Sequence, residues 1–207
     1  MGGPFRMVKE INPFGDLYRE FRVPVRTLCA EFDSRYWRGV DENASYPEAF
    51  VKALSDAGWL GALIPTQYGG GGLGVCEGSV ILEEINRSGG NSGACHAQMY
   101  TMGTLVRHGS EEQKQRYLPG IAAGTLRLQS FAVTEPATGS DTTQITTLAV
   151  RHGDRYVVNG QKVWISRVQH SDLMLLLART TPATRVARRS DGLSVFLVDL
   201  RGTGSTG

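Results

Sequence analysis

Apolar residues recur every three or four positions through the first 125 residues and every second position after Gly124. That change of period predicts helices followed by strands. Leu17, Phe21, Val25, Leu28, Phe32 and Tyr36 draw one stripe along residues 16–38, an amphipathic segment that Pro24 is expected to break or restart. Ser45-Tyr46-Pro47-Glu48 is a start signal with proline placed early; the helix it opens turns Phe50, Leu54 and Ala57 inward and stops at Gly58. Further helices are expected from Cys76 to Arg87 and from Asn91 or Ser92 to His108. Ser110-Glu111-Glu112-Gln113 reads as a capping box opening a short helix that ends by Pro119.

Leu128–Thr134 and Ile145–Arg151 read as strands. Residues 155–158 (RYVV), Asn159-Gly160 and residues 161–166 (QKVWIS) predict a hairpin on a type I′ turn, preceded by a turn at His152-Gly153-Asp154. Leu173–Ala178 and Leu193–Leu200 complete the set, separated by a polar, basic loop over residues 180–192. The expected fold is α+β: an all-helical domain over residues 1–126, then an antiparallel β-domain over residues 127–207 whose end is incomplete. No internal repeat is present.

Composition narrows the function more by exclusion. With 207 residues the chain can hold one large domain or two small ones and needs no disulfide or metal staple. Twenty-two basic against twenty acidic residues leave a charge of +2, no footprint for nucleic acid or an anionic membrane. Cys29, Cys76 and Cys95 are odd in number and far apart, as suits a reducing compartment. The longest apolar run, Leu173–Ala178, is far below a membrane span. The N-terminal MGGPFRMVKE lacks the apolar core of a signal peptide and has Arg6 where a myristoylation signal wants Ser or Thr. A soluble cytoplasmic protein is the expectation. His96, His108, His152 and His170 show no metal-ligand spacing, so no metal is expected.

Glycine is in excess, 26 of 207 residues. Gly69, Gly71 and Gly74 satisfy G-x-G-x-x-G, yet residues 90–98 (GNSGACHAQ) lack the acidic partner and the following elements are helical, so a dinucleotide fingerprint is not expected. Cys95-His96 suggests a nucleophile beside a base. Adjacent helical residues point about 100° apart, however, so packing or pocket lining is the expectation. In Phe131-Ala132-Val133-Thr134-Glu135-Pro136-Ala137-Thr138-Gly139-Ser140-Asp141 a strand runs into a hydroxyl-rich turn. Its main-chain N–H groups and hydroxyls suit the polar edge of a planar heterocycle or a phosphate, and an ordinary turn equally well. Trp164-Ile165-Ser166 would put Trp164 and Ser166 on one strand face, to wall a flat ring and hydrogen-bond it; a core tryptophan is the competing reading.

Together these pieces resemble the acyl-CoA dehydrogenase family of flavoproteins. The resemblance rests on the order of LGALIPTQYGGGGLG (60–74), the helix with Glu83-Glu84, HGSEEQKQRYLPGIAAG (108–124), FAVTEPATGSD (131–141), GDRYVVNGQKVWIS (153–166) and LSVFLVDL (193–200). It covers roughly residues 46–200, and TEPxxGSD with NGxKxWIS is specific. The resemblance implies a helical N-terminal domain, a barrel-like middle β-domain and a C-terminal four-helix domain, with FAD bound between them. Phe131, Ala132, Val133, Thr134, Gly139 and Ser140 would line the cofactor. Val133 backbone and the Thr134 hydroxyl would meet the pyrimidine end, while Trp164 and Ile165 would cover the ring and Ser166 would approach N5. Ser140 would also meet the acyl-CoA thioester arm. Met99 and Tyr100, with Cys95, His96 and Met102 nearby, would line the acyl cleft or simply pack.

The reaction so implied is α,β-dehydrogenation of an acyl-CoA, with electrons passed to electron-transfer flavoprotein or a similar acceptor and the full-length protein a homo-oligomer. The family's catalytic glutamate lies in the C-terminal domain, and Glu83, Glu84 and Glu135 match no catalytic position. A chain ending at Gly207 is therefore expected to be a fragment without its base, weakly active or inactive, with impaired FAD retention. Two alternatives stay open: an oxidase or flavin monooxygenase of the same fold, and a non-catalytic subunit giving half a flavin site to a partner chain.

Overall fold

A computed structural model describes residues 17–202; expectations about the first sixteen residues and the last five lie outside it. Six helices come first: α1 (Arg19–Cys29), α2 (Ser34–Glu42), α3 (Glu48–Asp56), α4 (Val75–Arg87), α5 (Gly93–His108) and α6 (Glu111–Ala122). Five strands follow: β1 (Leu128–Ala132), β2 (Leu148–His152), β3 (Arg155–Asn159), β4 (Leu173–Arg179) and β5 (Leu193–Asp199).

Pro24 does not break the first helix; it lies inside α1 on the exposed face. It removes only the bond to the Glu20 carbonyl, and the buried contacts of Arg22, Val25 and Cys29 hold the turn together. The break falls instead at Asp33, whose carboxylate accepts from the N–H groups of Arg35 and Tyr36 and starts α2. Likewise α6 runs through Pro119 to Ala122, because Leu118 and Ile121 are both fully buried and carry the helix onward. Its capping box is formed as read: Ser110 Oγ accepts from Gln113 N–H, and Gln113 Oε1 accepts from Ser110 N–H.

The sheet differs from the expectation in kind. It is mixed: β1 runs parallel to β4, with Leu128 opposite Leu173 and Ala132 opposite Leu176. β2 also joins β4 in parallel, at Leu148 and Arg179, whereas β5 pairs antiparallel along all of β4. No ladder closes the five strands into a barrel among the described residues. The predicted Asn159-Gly160 hairpin is absent too. The tight turn is Gly153-Asp154, where Gly153 takes the positive φ (63°) and β2 pairs with β3 from His152–Arg155 to Leu148–Asn159. Gly160 has no positive φ; a Cβ there would overlap Thr147, so it marks a close backbone approach. Residues 160–166 form no strand.

One core spans both halves. Phe50, Leu54, Ile81, Ile85, Met102, Leu118 and Ile121 from the helices share it with Leu128, Leu173 and Leu175 from the sheet. Helix α5 is the junction, packing directly on β1. Polar groups caught at this seam are paired: Tyr46 Oη donates to Gln129 Oε1 (2.6 Å), Gln129 Nε2 to Gln98 Oε1 (3.2 Å), and Thr101 Oγ1 to the Leu128 carbonyl.

A second buried polar link ties α1 to α4. Arg22 Nη1 meets Glu84 Oε1 at 2.7 Å and Arg22 Nη2 meets Glu83 at 2.8 Å, while Arg26 Nε approaches the other Glu84 oxygen at 3.0 Å. Burial alone would raise the pKa of Glu84, but the hydrogen bonds from Arg26 and Arg22 outweigh it and lower it. Removing Glu84 leaves the buried Arg22 guanidinium with only the half-exposed Glu83 to meet it. Glu84→Ala is therefore expected to cost about 3–5 kcal/mol in urea unfolding, whereas Lys52→Ala, which breaks an exposed pair with Asp56, should cost less than about 1 kcal/mol.

Candidate functional site

β1 delivers Phe131 and the fully buried Ala132 to the edge of the sheet, and the chain then leaves the ladder at Val133. What fixes the following turn is a carboxylate. Glu135 is 5% exposed, and its two oxygens accept from Thr146 N–H (2.7 Å), Thr146 Oγ1 (2.8 Å), Thr147 N–H (2.9 Å) and Lys162 Nζ (3.0 Å). Burial pushes this carboxyl up, yet the hydrogen bonds from Thr147 and Thr146 more than offset it and hold its pKa at about 2. Lys162 also donates to the Val133 carbonyl (2.9 Å), and Val163 N–H donates to the Thr134 carbonyl (2.9 Å). The two segments singled out from the sequence, 131–140 and 164–166, are thus clamped side by side.

Their outward groups are unspent. Among the described residues, the N–H groups of Val133 and Thr134 and the hydroxyls of Thr134, Ser140 and Ser166 make no protein hydrogen bond. Trp164 is 89% exposed and sits at φ 60°, a conformation that few residues other than glycine adopt. It is neither a core tryptophan nor part of a strand, so the same-face argument linking it to Ser166 does not hold. Gly139 and Ser140 lie in the exposed turn, and Ile165 is half-buried. The chemistry of this set is that of an edge of donors beside a large flat apolar side chain.

Helices α4 and α5 enclose a groove of about 470 Å³ lined by Leu63, Leu82, His96, Met99, Tyr100 and Gly103 among others. The Tyr100 ring lies 6.5 Å from that of Phe131 and 5.2 Å from His96. Cys95 and Met102 do not line the groove; both point into the core. Burial pushes the Cys95 thiol up to about 12, which removes it as a nucleophile. The glycine run is structural. Gly71 and Gly72 N–H donate to the carbonyls of Gly61 and Ile64, and a Cβ at Gly70 would overlap the Ile64 carbonyl. Sequence reasoning missed the Glu135–Lys162 clamp; a charged pair beside two apolar strand ends was the available signal.

Because the Glu135 pKa is lowered from 4.5 to about 2, the stability it contributes is complete above pH ~4.5 and lost as pH falls towards 2. The difference in unfolding free energy between the natural chain and Glu135→Gln is expected to be about 3 kcal/mol at pH 7 and to shrink steadily below pH ~4.5, as read by urea titration at a series of pH values.

Among the described residues no helix is long and apolar enough to cross a membrane, and no group of three or more His, Cys, Asp or Glu could hold a metal. The sequence matches the acyl-CoA dehydrogenase N-terminal domain over residues 16–125 and the acyl-CoA dehydrogenase middle domain over residues 130–207. It is 32% identical over 194 residues to mitochondrial isovaleryl-CoA dehydrogenase of Pongo abelii, covering 91% of this chain and 45% of that protein. The crystal structure of an acyl-CoA dehydrogenase from Geobacillus kaustophilus superposes with a TM-score of 0.80 at 30% identity, covering 88% of this chain and 48% of the other. A glutaryl-coenzyme A dehydrogenase in complex with glutaryl-CoA gives a TM-score of 0.79 at 27% identity, covering 97% and 49%. The chain thus spans about half the length of these relatives. With both domain patterns matched in order and the helical and sheet halves in place, the chain belongs to the acyl-CoA dehydrogenase family, as its N-terminal and middle domains.

Proposed function

We propose that this chain provides the flavin edge and one acyl-chain wall of an FAD-dependent enzyme that removes hydrogen from Cα and Cβ of an acyl-CoA thioester. One observation carries the reading. The Lys162–Glu135 clamp fixes unpaired donors and an exposed tryptophan together, and Phe131 at the end of the same strand touches Tyr100 of an apolar groove. FAD fits that donor set, since its pyrimidine edge offers acceptors and its ring a flat apolar face. When bound, FAD supplies the hydride acceptor.

The chain's own residues then have distinct tasks. Val133 and Thr134 N–H and the Thr134 hydroxyl donate to the pyrimidine edge, and the Ser166 hydroxyl donates near N5. Trp164 and Ile165 wall the ring and Phe131 lines it, Ala132 supports that edge from within the core, and Gly139 and Ser140 form the turn facing the diphosphate and the thioester arm. Met99 and Tyr100 hold the acyl chain in the groove. Glu83 and Glu84 are engaged by Arg22, and Glu135 is locked by four hydrogen bonds, so none of the three takes the α-proton. That base belongs to residues beyond these two domains. Transfer of electrons to an electron-transfer flavoprotein or similar acceptor, and assembly as a homo-oligomer, belong to the same proposal and are supported by family membership.

Added FAD is expected to quench tryptophan fluorescence through Trp164, and the quenching should disappear in Trp164→Phe while Trp37 and Trp59 still emit. Thr134→Val and Ser166→Ala should each weaken FAD binding about tenfold, the worth of one hydrogen bond. Equal quenching in Trp164→Phe would contradict this placement. In the groove, a Cβ at Gly103 meets open space, and Gly to Leu in a helix interior gains about 0.8 kcal/mol. Gly103→Leu is therefore expected to keep the fold while weakening binding of a long-chain acyl-CoA by about tenfold and leaving a short-chain acyl-CoA nearly unaffected, as read by calorimetric titration.

A further inference from the structure

Directly after Ser166 the chain makes a second unusual backbone choice, Arg167 at φ 61°. The conformation is held by two bonds to its carbonyl, from His170 N–H (3.0 Å) and Ser171 Oγ (2.9 Å). The side chain turns towards the start of α5, where Nη1 comes within 3.3 Å of the place a Cβ on Gly93 would occupy. There, among the described residues, the half-buried guanidinium meets no protein acceptor. Its Nε is covered and unpartnered, and among the described residues no acceptor meets any of its five donors. Arginine cannot shed its charge, and a covered, unmet donor on a charged group is costly.

The facing helix end is equally unspent. Ser92 does not cap α5, because its hydroxyl donates to Asn86 Oδ1. Asn91 Oδ1 takes the Gly93 N–H, and among the described residues those of Ala94 and Cys95 have no protein acceptor. Arg167, Asn91, Ala94, Ser45, Tyr46 and His170 line one cavity of about 230 Å³. The Glu48 carboxylate, on the helix that Tyr46 and Pro47 lead into, is taken by both terminal nitrogens of Arg127. His170 is stacked on Tyr46 with ring centres 4.5 Å apart, and the two rings form one wall of the cavity. A helix N-terminus carries partial positive charge; here it converges with a guanidinium fork whose geometry matches two oxygens of one acid.

We propose that this cavity binds a small oxyanion, a carboxylate or a phosphate, between the Arg167 guanidinium and the N-terminus of α5. The inference stands independently of the flavin reading, although an anion here would lie one residue from the segment proposed to meet N5.

The test is the melting temperature of the 207-residue chain against acetate, succinate and inorganic phosphate, at constant ionic strength balanced with chloride. Arg167→Asn removes the charge while suiting the left-handed backbone, since asparagine tolerates positive φ, and Arg167→Lys keeps the charge without the fork. The expected result is a saturable rise of about 5–10 °C at a hundredfold excess over Kd, lost in Arg167→Asn and partly kept in Arg167→Lys. A response to phosphate alone or to the carboxylates alone supports the site and names its source. No saturable rise, or the same rise in Arg167→Asn, overturns it. Should Arg167→Asn melt too early to read, Gly93→Val, which crowds the guanidinium out of the cavity, must abolish the rise.

Discussion

Glu135 is an acid buried where the sheet ends, and the geometry around it depends on its staying ionised. Its oxygens gather Thr146, Thr147 and Lys162, three groups that the chain supplies after leaving β1. Lys162 in turn reaches the Val133 carbonyl, so one ion pair draws the end of β1 and the segment after β3 into contact. A buried pair of this kind gives little net stability when compared with apolar replacements. What it provides is position: with Lys162 turned inward, Val163 bonds Thr134 and Trp164 is thrown outward. The unspent donors of Val133, Thr134 and Ser166 follow from that arrangement.

Helix α5 serves three environments at once. Cys95, Met99 and Met102 pack in the shared core, His96 and Tyr100 join Met99 along the groove, and the uncapped first turn faces Arg167. Glutamines buried at the seam, Gln98 and Gln129, pair with each other and with Tyr46, which fixes the helix in register on β1. A change in that register would move the groove, the donor edge and the Arg167 cavity together. Both polar side chains that the helix buries are met: Gln98 by the Leu60 carbonyl and Gln129, and Thr101 by the Leu128 carbonyl and its own helix turn.

Much of this was legible in the sequence, for local reasons. The 3.6-residue stripes placed the helices, the Ser110–Gln113 box formed as read, and the hydroxyl-rich turn after Phe131 lies where its composition pointed. What was illegible depended on partners distant in sequence. The alternation in QKVWIS has the period of a strand, but Lys162 answers to Glu135 rather than to a neighbouring strand, and tertiary bonding overrides the pattern. Asn159-Gly160 has the composition of a hairpin turn, yet Gly153 takes the positive φ and Gly160 makes room for Thr147. Prolines 24 and 119 failed as helix breakers because buried neighbours on the same turns held the helices through them. The parallel pairing of β1 with β4 joins segments about forty residues apart and leaves no trace in local period.

The central claim is that the clamped segments, and not the glycine run that imitates a nucleotide fingerprint, form the flavin edge. Amide chemical-shift mapping of the isotope-labelled chain during titration with FAD tests it most directly. The account predicts that the shifting amides are those of Val133, Thr134 and residues 164–166, with the loop from Gly69 to Gly74 unmoved. Shifts centred on Gly69–Gly74, with the clamped segments silent, would contradict it.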